Sequence, residues 1–223
     1  MRINIAIDGP SAAGKSTIAR KAAARLGYVH LDTGAMYRCT AYKALEQGIS
    51  LEDEDAVCRM LEKTDIVLTP QGSVLLDGKD VSEVIREEKT SMAASKVSKL
   101  GRVRKELVKR QQKMAEAKGF IMDGRDIGTV VLPHAEVKIF MTASPEARAK
   151  RRYDQDQLKG IESGSLEEIA SEIRARDEQD MNRKESPLRK ADDAVLLDTS
   201  DMSIDEVVDA VVKMAQERIG EQV

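Results

Sequence analysis

The sequence predicts an α/β fold in which a five-stranded parallel sheet lies between two layers of helices. Short apolar runs alternate with amphipathic helical patterns along its 223 residues. A strand, a helix and a second strand with connections of this length form a βαβ unit, whose strands run parallel. A pair of short β segments near residues 64–82 does not fit this alternation and predicts a small antiparallel insertion. The five predicted sheet strands cover residues 3–8, 28–31, 120–123, 137–141 and 194–198.

The first strand runs into a glycine-bounded loop and then into a helical pattern. The loop has the spacing G-x-x-x-x-G-K-[ST] and reads Gly9-Pro10-Ser11-Ala12-Ala13-Gly14-Lys15-Ser16, followed by Thr17. Its glycines allow successive N–H groups to point at phosphate oxygens, and the helix adds the positive end of its dipole. Lys15 is expected on the β and γ phosphates and Ser16 on Mg²⁺. We therefore interpret residues 9–17 as an ATP-binding P-loop rather than a glycine turn with an incidental lysine.

Polar residues also follow two other strands of the predicted sheet. The third strand ends in Asp123, which is the Walker B arrangement, in which a carboxylate at a strand end approaches the Mg²⁺ shell. Thr33, Tyr37 and Arg38 follow the second strand, and ligands of open α/β sheets bind at this carboxyl edge. The simpler alternative for this second group is a helix cap, provided by Asp32 or Thr33, with a surface arginine. Its position favours a ligand-binding role.

The chain from residue 34 to about residue 100 does not continue the sheet and predicts a helical lobe that binds the substrate. Ser50, followed three residues later by Asp53, resembles a capping box and predicts the start of a helix. The apolar segments 66–68 and 74–76 flank a turn at 70–72 and form the predicted insertion. The expected regions are a P-loop core of residues 1–33, 101–145 and 184–223, the lobe of residues 34–100, and a lid with flanking helices at 146–183.

A helix that begins at the capping box Ser165–Glu168 carries a stripe of mixed character. Steps of four, three, four and three residues put five side chains on one face: Ile169, Ile173, Arg176, Asp180 and Arg183. A face that begins apolar and ends charged is turning from the core towards a polar cleft. The alternative is an exposed face with i,i+4 ion pairs, each contributing only about 0.3–0.5 kcal/mol. Gly160 and Gly164 interrupt the segment 159–164 before this helix and predict a mobile lid.

The composition argues against several classes of protein. A formal net charge of −3 and 3% aromatic residues disfavour polyanion binding and base stacking, so no nucleic-acid partner is expected. No apolar run reaches the ~18 residues of a membrane span, and the amino terminus enters a strand without a signal-peptide pattern. Cys39 and Cys58 lack CxxC spacing, and two histidines form no ligand cluster. We expect a cytoplasmic protein without a membrane partner or a structural metal.

The arginines distinguish between classes of P-loop protein. A switch GTPase needs an N-K-x-D motif, which residues 182–185 do not match, and a motor ATPase needs a longer chain. Several arginines lie on segments that are expected to converge on the predicted cleft, and arginine binds phosphate oxygens in a bidentate manner. This pattern predicts a kinase for a small anionic acceptor.

Three further motifs accompany the P-loop: Leu31-Asp32-Thr33-Gly34-Ala35-Met36-Tyr37-Arg38, Asp123-Gly124-Arg125-Asp126 and Arg176-Asp177-x-x-Asp180-x-x-Arg183. Together the four resemble the bacterial cytidylate kinase family of nucleoside monophosphate kinases. The resemblance runs over essentially the whole chain, including the β insertion. Adenylate kinases are expected to carry D-G-F/Y-P-R at the third strand, and the segment from Asp123 to Asp126 departs from that pattern.

The resemblance implies phosphoryl transfer from ATP, with Mg²⁺, to CMP or dCMP, giving CDP or dCDP. It implies that the cytosine base is read by Thr33, Ser95, Arg104 and Asp126, with Tyr37 lining the pocket and Asp180 on the sugar hydroxyl. The acceptor phosphate is then gripped by Arg38, Arg125, Arg176 and Arg183. The implied catalytic residues are Lys15, Arg125, Arg176 and Arg183. Arg148 and Arg152 are expected to border the donor nucleotide and the lid, and the enzyme is expected to be a monomer.

Two alternatives stay open at this point. A kinase for another small anion, such as shikimate, dephospho-coenzyme A or a different nucleoside monophosphate, shares the same core. The insertion and the stripe from Arg176 to Arg183 count against it. A nucleotide sensor or RNA-binding module without catalysis needs an exposed basic or aromatic patch, which the composition disfavours.

Overall fold

A computed structural model describes residues 2–69, 71–158, 160–161 and 163–221. It divides the chain into two compact units, one of Met1–Tyr28 with Lys118–Val223 and one of Val29–Ala117. The sequence predicts that residues 101–117 belong to the P-loop core, whereas the structure groups them with the second unit. The division into core, lobe and lid remains a prediction. Pro70 of the predicted turn, and Lys159 and Glu162 of the predicted lid, lie outside the described residues.

The helices and strands follow the predicted alternation. In chain order they are β1 (Ile5–Asp8), α1 (Lys15–Leu26), β2 (Val29–Asp32), α2 (Thr33–Glu46), α3 (Glu54–Glu62), β3 (Ile66–Leu68), β4 (Val74–Leu76), β5 (Lys79–Asp80), α4 (Glu88–Val97), α5 (Gly101–Ala115), β6 (Phe120–Gly124), β7 (Val137–Thr142), α6 (Pro145–Leu158), α7 (Leu166–Asn182), β8 (Val195–Asp198) and α8 (Ile204–Gly220). A 3-10 turn at Val84–Arg86 and a π-helical turn at Ile127–Val131 complete the regular structure of the described chain.

The main sheet has five strands in the order β2-β6-β1-β7-β8. Strand β1 pairs in parallel with β6 and with β7, and β7 pairs in parallel with β8. The register aligns Asp8 with Gly124, so the P-loop and the segment after β6 leave the sheet side by side. The predicted α/β class and the five-stranded parallel sheet are therefore confirmed.

The core of the first unit explains why these segments form strands. Ile5 and Ile7 on one face of β1 and Ala6 on the other are all fully buried, as expected for a strand covered on both faces. Ile18, Ala19 and Ala22 of α1 pack into the same cluster with Val207, Val208 and Val211 of α8. Burying an aliphatic side chain of this size contributes about 1.5–3 kcal/mol.

The second unit contains the small antiparallel sheet, which has the order β3-β4-β5. Residues Ile66–Leu68 pair with Val74–Leu76, as the sequence predicts, and Lys79–Asp80 adds a third short strand that periodicity did not indicate. Ile66, Val74 and Leu76 belong to the same buried cluster as the helices of this unit, including Leu61 and Leu107. The insertion is therefore part of that core.

Two helix caps are now resolved. Asp32 caps α2, because its Oδ1 accepts a 3.0 Å hydrogen bond from the backbone N–H of Ala35. The predicted cap at Ser50 is wrong: α3 begins at Glu54, and Asp53 is its N-cap, accepting from the N–H of Ala56 at 2.9 Å. Asp53 is one of the preferred cap residues itself, so it replaces the weaker box pattern that began at Ser50.

In the stretches of chain that the structure describes, no helix combines the length and the apolar composition that crossing a membrane requires.

Candidate active site

The P-loop begins at a glycine that closely approaches a neighbouring strand. Gly9 has φ +152°, and a Cβ atom added to it would lie 2.0 Å from the backbone oxygen of Met141 in β7. Only glycine fits this position. Gly14 at the other end of the loop has φ +86° and is the N-cap of α1, with open space around it. The loop therefore delivers the N-terminus of α1 to the carboxyl edge of the sheet, where an anion is stabilised.

Lys15 lies inside this loop rather than in solvent. It is 6% exposed, and its Nζ donates a 2.6 Å hydrogen bond to the carbonyl oxygen of Pro10. Burial, followed by the nearby charge of Arg125, lowers the pKa of Lys15 to about 7. A buried ammonium close to an arginine is an environment that favours an anionic ligand, because a phosphate would supply the missing negative charge.

Ser16 and Asp123 meet at the ends of α1 and β6. The Ser16 hydroxyl donates a 2.6 Å hydrogen bond to Oδ2 of Asp123, which is buried. A hydroxyl and a carboxylate are hard oxygen ligands of the kind that Mg²⁺ prefers. The two predicted metal-shell residues are thus brought together, and they fit a magnesium ion that is bound mainly through a nucleotide.

Asp8 is a buried acid at the start of the loop that sequence reasoning missed. Its Oδ1 accepts from the backbone N–H of Ile127 and its Oδ2 from that of Gly128, both at 2.7 Å. Burial raises the pKa of Asp8 to about 6, although both hydrogen bonds favour the carboxylate. Asp8 thereby fixes the π-helical turn that follows Arg125 and Asp126. The available signal was its position immediately before the first glycine of the motif.

Four predicted acceptor residues of the first unit come together. Arg125 Nε donates a 2.7 Å hydrogen bond to Oδ2 of Asp180. Arg183 lies 3.9 Å from Asp180 and 3.8 Å from Asp126, measured between guanidinium nitrogens and carboxylate oxygens. Burial would raise the pKa of Asp180, but Arg125, then Arg183 and Arg176, hold it below its usual value. The cluster places guanidinium groups around a buried carboxylate, an arrangement suited to binding a phosphate.

The predicted stripe on α7 is buried in a different register from the one that periodicity suggested. Ile169, Ile173 and Asp180 are buried as expected, whereas Arg176 is exposed and Asp177 takes its place on the covered face. The steps of the buried positions are therefore four, four and three residues. Asp177 was quoted only as part of a motif, and its position four residues after Ile173 was the signal that could have identified it.

Asp177 and Arg148 form a buried ion pair that holds the P-loop. Arg148 Nη1 donates to Oδ2 of Asp177 and, at 3.1 Å, to the carbonyl oxygen of Ser11. The N–H of Ser11 donates to Oδ1 of Asp177 at 3.0 Å. Arg148 Nε donates to the carbonyl oxygen of Ala143 at 2.9 Å. Arg152, the other predicted donor-side arginine, is half exposed and donates to Asp156 at 2.9 Å.

The remaining predicted residues lie in the second unit. Arg38 Nη2 donates a 2.7 Å hydrogen bond to Oδ2 of Asp32. Burial would raise the pKa of Asp32, and the charge of Arg38 holds it below its usual value. Arg104 is buried in α5, its Nη1 donates to the Tyr37 hydroxyl at 2.7 Å, and its guanidinium carbon lies 5.2 Å from the centre of that ring. This hydrogen bond and cation–π contact fix a planar donor group.

Thr33 and Ser95 are polar positions in the same unit. Thr33 is buried at the start of α2, and Ser95 is partly buried in α4, where its carbonyl oxygen accepts from the Ser98 hydroxyl at 2.9 Å. Buried hydroxyl groups of this kind are suited to reading polar edges of a base. In chemical terms, the first unit offers a glycine-rich loop, a buried lysine and several arginines, and the second unit offers two further arginines with neighbouring hydroxyl groups.

Comparison with known proteins gives a consistent result. The cytidylate kinase family model matches residues 5–217. The cytidylate kinase of Geobacillus kaustophilus (strain HTA426) is 51% identical over 222 residues, covering 98% of this chain and 99% of that protein. The cytidylate kinase of Bacillus cereus (strain ATCC 10987 / NRS 248) is 51% identical over 217 residues, covering 96% of each. A solved gluconokinase structure from Sinorhizobium meliloti 1021 matches with a TM-score of 0.51 at 14% identity, covering 97% of this chain and 93% of that one, which supports the fold alone.

Proposed function

The chain belongs to the cytidylate kinase family, and we propose on that basis that it transfers the γ-phosphoryl group of ATP directly to CMP and dCMP. The products are ADP with CDP or dCDP. The observation that supports the proposal is the register of β1 and β6, which aligns Asp8 with Gly124, so the loop that holds Lys15 and the segment that begins at Arg125 leave the sheet side by side. Cations of the predicted acceptor set thus lie beside the cation of the donor loop, as transfer between two phosphates requires.

On the donor side, residues 9–17 surround the phosphates of ATP, which accept from the backbone N–H groups of the loop, apart from Pro10, which has none, and Ser11, whose N–H donates to Asp177. Lys15 turns from the carbonyl oxygen of Pro10 to the β and γ phosphates, where its ammonium form is stabilised. Ser16 and Asp123 hold the Mg²⁺ that accompanies ATP, Asp123 directly or through water. The ion supplies positive charge to the β and γ oxygens. Arg152 borders the donor nucleotide.

On the acceptor side, the residues of the first unit bind the phosphate and sugar of CMP. Arg125, Arg176 and Arg183 bind the phosphate oxygens, and Asp180 accepts from a sugar hydroxyl. Asp126 contacts the base. In the second unit, Arg38 binds the phosphate, Tyr37 lines the acceptor pocket, and the base is read by Thr33, Ser95 and Arg104.

The reaction needs no general base. The attacking atom is a phosphate oxygen that is already ionised at neutral pH. The protein has to hold two polyanions in line and stabilise the negative charge that spreads over the transferred group. Lys15, Arg125, Arg176 and Arg183 perform this task. Exclusion of water by residues of the lid protects ATP from hydrolysis.

The test is a coupled ADP-release assay with CMP, dCMP, UMP, AMP and shikimate as acceptors. We expect turnover with CMP and dCMP and little with shikimate. Arg183→Ala should lower kcat with CMP by about 10³-fold or more, the scale of a transition-state arginine, while ATP binding is largely retained. Arg174→Ala is the matched control, because Arg174 is exposed on α7, the helix that Arg183 caps.

Two outcomes contradict the proposal. Unchanged CMP kinetics in the Arg183→Ala variant would remove that residue from the reaction, and turnover with shikimate alone would favour a different acceptor. The full-length relatives at about half identity do not favour a different acceptor.

We also propose that the protein is a cytoplasmic monomer. The free thiols of Cys39 and Cys58 agree with a reducing compartment.

A further inference from the structure

The pair formed by Arg148 and Asp177 binds both main-chain polar groups of one P-loop residue, Ser11. The N–H of Ser11 donates to the carboxylate, and the carbonyl oxygen of Ser11 accepts from the guanidinium. Both residues are buried: Arg148 is 5% exposed and Asp177 is 6% exposed. One buried ion pair therefore fixes the orientation of the two consecutive peptide groups that meet at Ser11.

The same pair links the loop to the helix of the acceptor residues. Asp177 lies on α7 directly after Arg176 and three residues before Asp180. Arg148 lies on α6, and its Nε is bound to Ala143 at the end of β7. Ala12, the next loop residue, packs on Ile169 and Ile173 of α7 and on Ala149 of α6. The tip of the loop thus rests on the helix pair, and the ion pair determines where on that surface it rests.

Attraction between the two charges does not by itself explain why Arg148 and Asp177 are buried together. Desolvation of two buried ions commonly cancels their mutual attraction, and apolar residues of similar volume often give equal stability. An apolar pair could fill the space between α6 and α7. It could not bind the N–H and the carbonyl oxygen of Ser11, and so it could not orient the loop.

We propose that Asp177 and Arg148 are positioning residues for phosphoryl transfer. They fix the phosphate loop at Ser11 to the helix that carries Arg176 and Asp180 and ends at its C-cap Arg183, and so hold the donor and acceptor phosphates at one separation. This inference rests on the proposed function. It also gives Arg148 an action through the loop, in place of the direct contact with the donor nucleotide that the family resemblance implies.

The consequence is a specific kinetic signature. Each nucleotide site keeps its own contacts when the pair is removed, so the KM values for ATP and CMP change little. The separation of the reacting atoms is no longer fixed, so kcat falls. A misplacement of about 1 Å in such a reaction lowers the rate by about 10²-fold.

The experiment compares Asp177→Asn, Arg148→Met and the apolar pair Asp177→Leu with Arg148→Met in the full chain. Steady-state kinetics give kcat and both KM values, and circular dichroism gives the thermal midpoint. We expect kcat about 10²-fold lower in all three variants, with KM values within about threefold of the wild type. The apolar pair should recover thermal stability relative to Asp177→Asn but not kcat. Lys150→Met, an exposed change on the same helix, is the control.

The possible results separate the two proposals. CMP-dependent ADP release by the wild-type protein tests the proposed function by itself. Recovery of kcat in the apolar pair would overturn the positioning role, because packing alone would then be sufficient. A raised KM for ATP in Arg148→Met, with Asp177→Asn unaffected, would also overturn it and would assign Arg148 to the nucleotide.

Discussion

Arg125 donates a 2.7 Å hydrogen bond from its Nε to Oδ2 of Asp180. The donor directly follows β6 at the carboxyl edge of the sheet, and the acceptor lies on α7. Asp180 also lies 3.9 Å from Arg183, which has Asp126 at 3.8 Å as a second acidic neighbour, so Asp180 contacts both guanidinium groups of the cluster. These contacts orient both guanidinium groups in a largely buried site.

This relationship predicts a large effect of Asp180→Asn on stability. Removal of one member of a buried ionic cluster leaves uncompensated charge and is expected to lower the free energy of unfolding by about 3 kcal/mol or more at pH 7. Because the pKa of Asp180 is lowered in the folded protein, its contribution is present above the unfolded pKa near 4 and is lost as the pH falls below it. The difference between variant and wild type should therefore shrink towards pH 3.

Urea unfolding at pH 7 and pH 3 measures this difference. Asp154→Asn is the control, since that carboxylate forms only an exposed pair with Lys150 and should change stability by less than about 1 kcal/mol. Equal effects of the two substitutions at pH 7 would contradict the prediction.

The raised pKa of Asp8 predicts that the free energy of unfolding depends on pH with the opposite sign. Its pKa is raised to about 6 in the folded protein from 3.8, so the folded state binds more protons between those values and stability falls as the pH rises from 4 to 6. Two pKa units correspond to about 3 kcal/mol. The charges that act on Asp8 are those of Asp126, which raises the pKa, and Lys15, which lowers it.

Asp8→Asn isolates this contribution. The difference in unfolding free energy between wild type and variant should change by about 3 kcal/mol from pH 4 to pH 7, in favour of the variant at the higher pH. Loss of one of the two accepted hydrogen bonds shifts the whole curve by about 1 kcal/mol without changing its slope. Parallel stability profiles would show that Asp8 does not titrate in this range.

Gly9 and Gly14 provide a matched pair for the backbone of the loop. Gly9→Ala forces a Cβ to within 2.0 Å of the backbone oxygen of Met141, so we expect a loss of at least about 4 kcal/mol. Gly14→Ala meets open space and a left-handed φ of +86°, which costs about 1–2 kcal/mol. Thermal unfolding of both variants measures the contrast, and similar midpoints would mean that strand β7 can move away from the loop.

The sequence was sufficient to predict the sheet and the P-loop, because both are encoded locally. Apolar runs gave the strands, and the loop motif contains its own spacing. Asp8 was missed because its partners, Ile127 and Gly128, lie about 120 residues away, in a π-helical turn with no recognisable pattern. The orientation of α7 depends on its packing against α6, so helical period alone put Arg176 where Asp177 is buried.

The contact between Arg104 and Tyr37 leads to a prediction about recognition of the cytosine base. Arg104→Met removes a charged donor that the Tyr37 hydroxyl orients at 2.7 Å, and we expect the KM for CMP to rise about 30-fold with the KM for ATP unchanged. Tyr37→Phe removes the hydroxyl that accepts from Arg104 and keeps the ring below the guanidinium, so an increase of about fivefold is expected. Initial rates with CMP varied at saturating ATP give the KM of each variant. A larger increase in Tyr37→Phe than in Arg104→Met would contradict the prediction.

The hydrogen bond between Ser16 and Asp123 predicts the magnesium requirement. Asp123→Asn keeps the shape of the side chain but removes the negative charge that faces the ion, so half-maximal activity should need about tenfold more free Mg²⁺. Isothermal titration of Mg²⁺ into the protein with ADP gives the same affinity without turnover. Ser16→Thr preserves the hydroxyl and should stay near the wild type in both measurements. If Asp123→Asn also left both measurements unchanged, the carboxylate would serve only to orient Ser16 at 2.6 Å and would have no part in holding the ion.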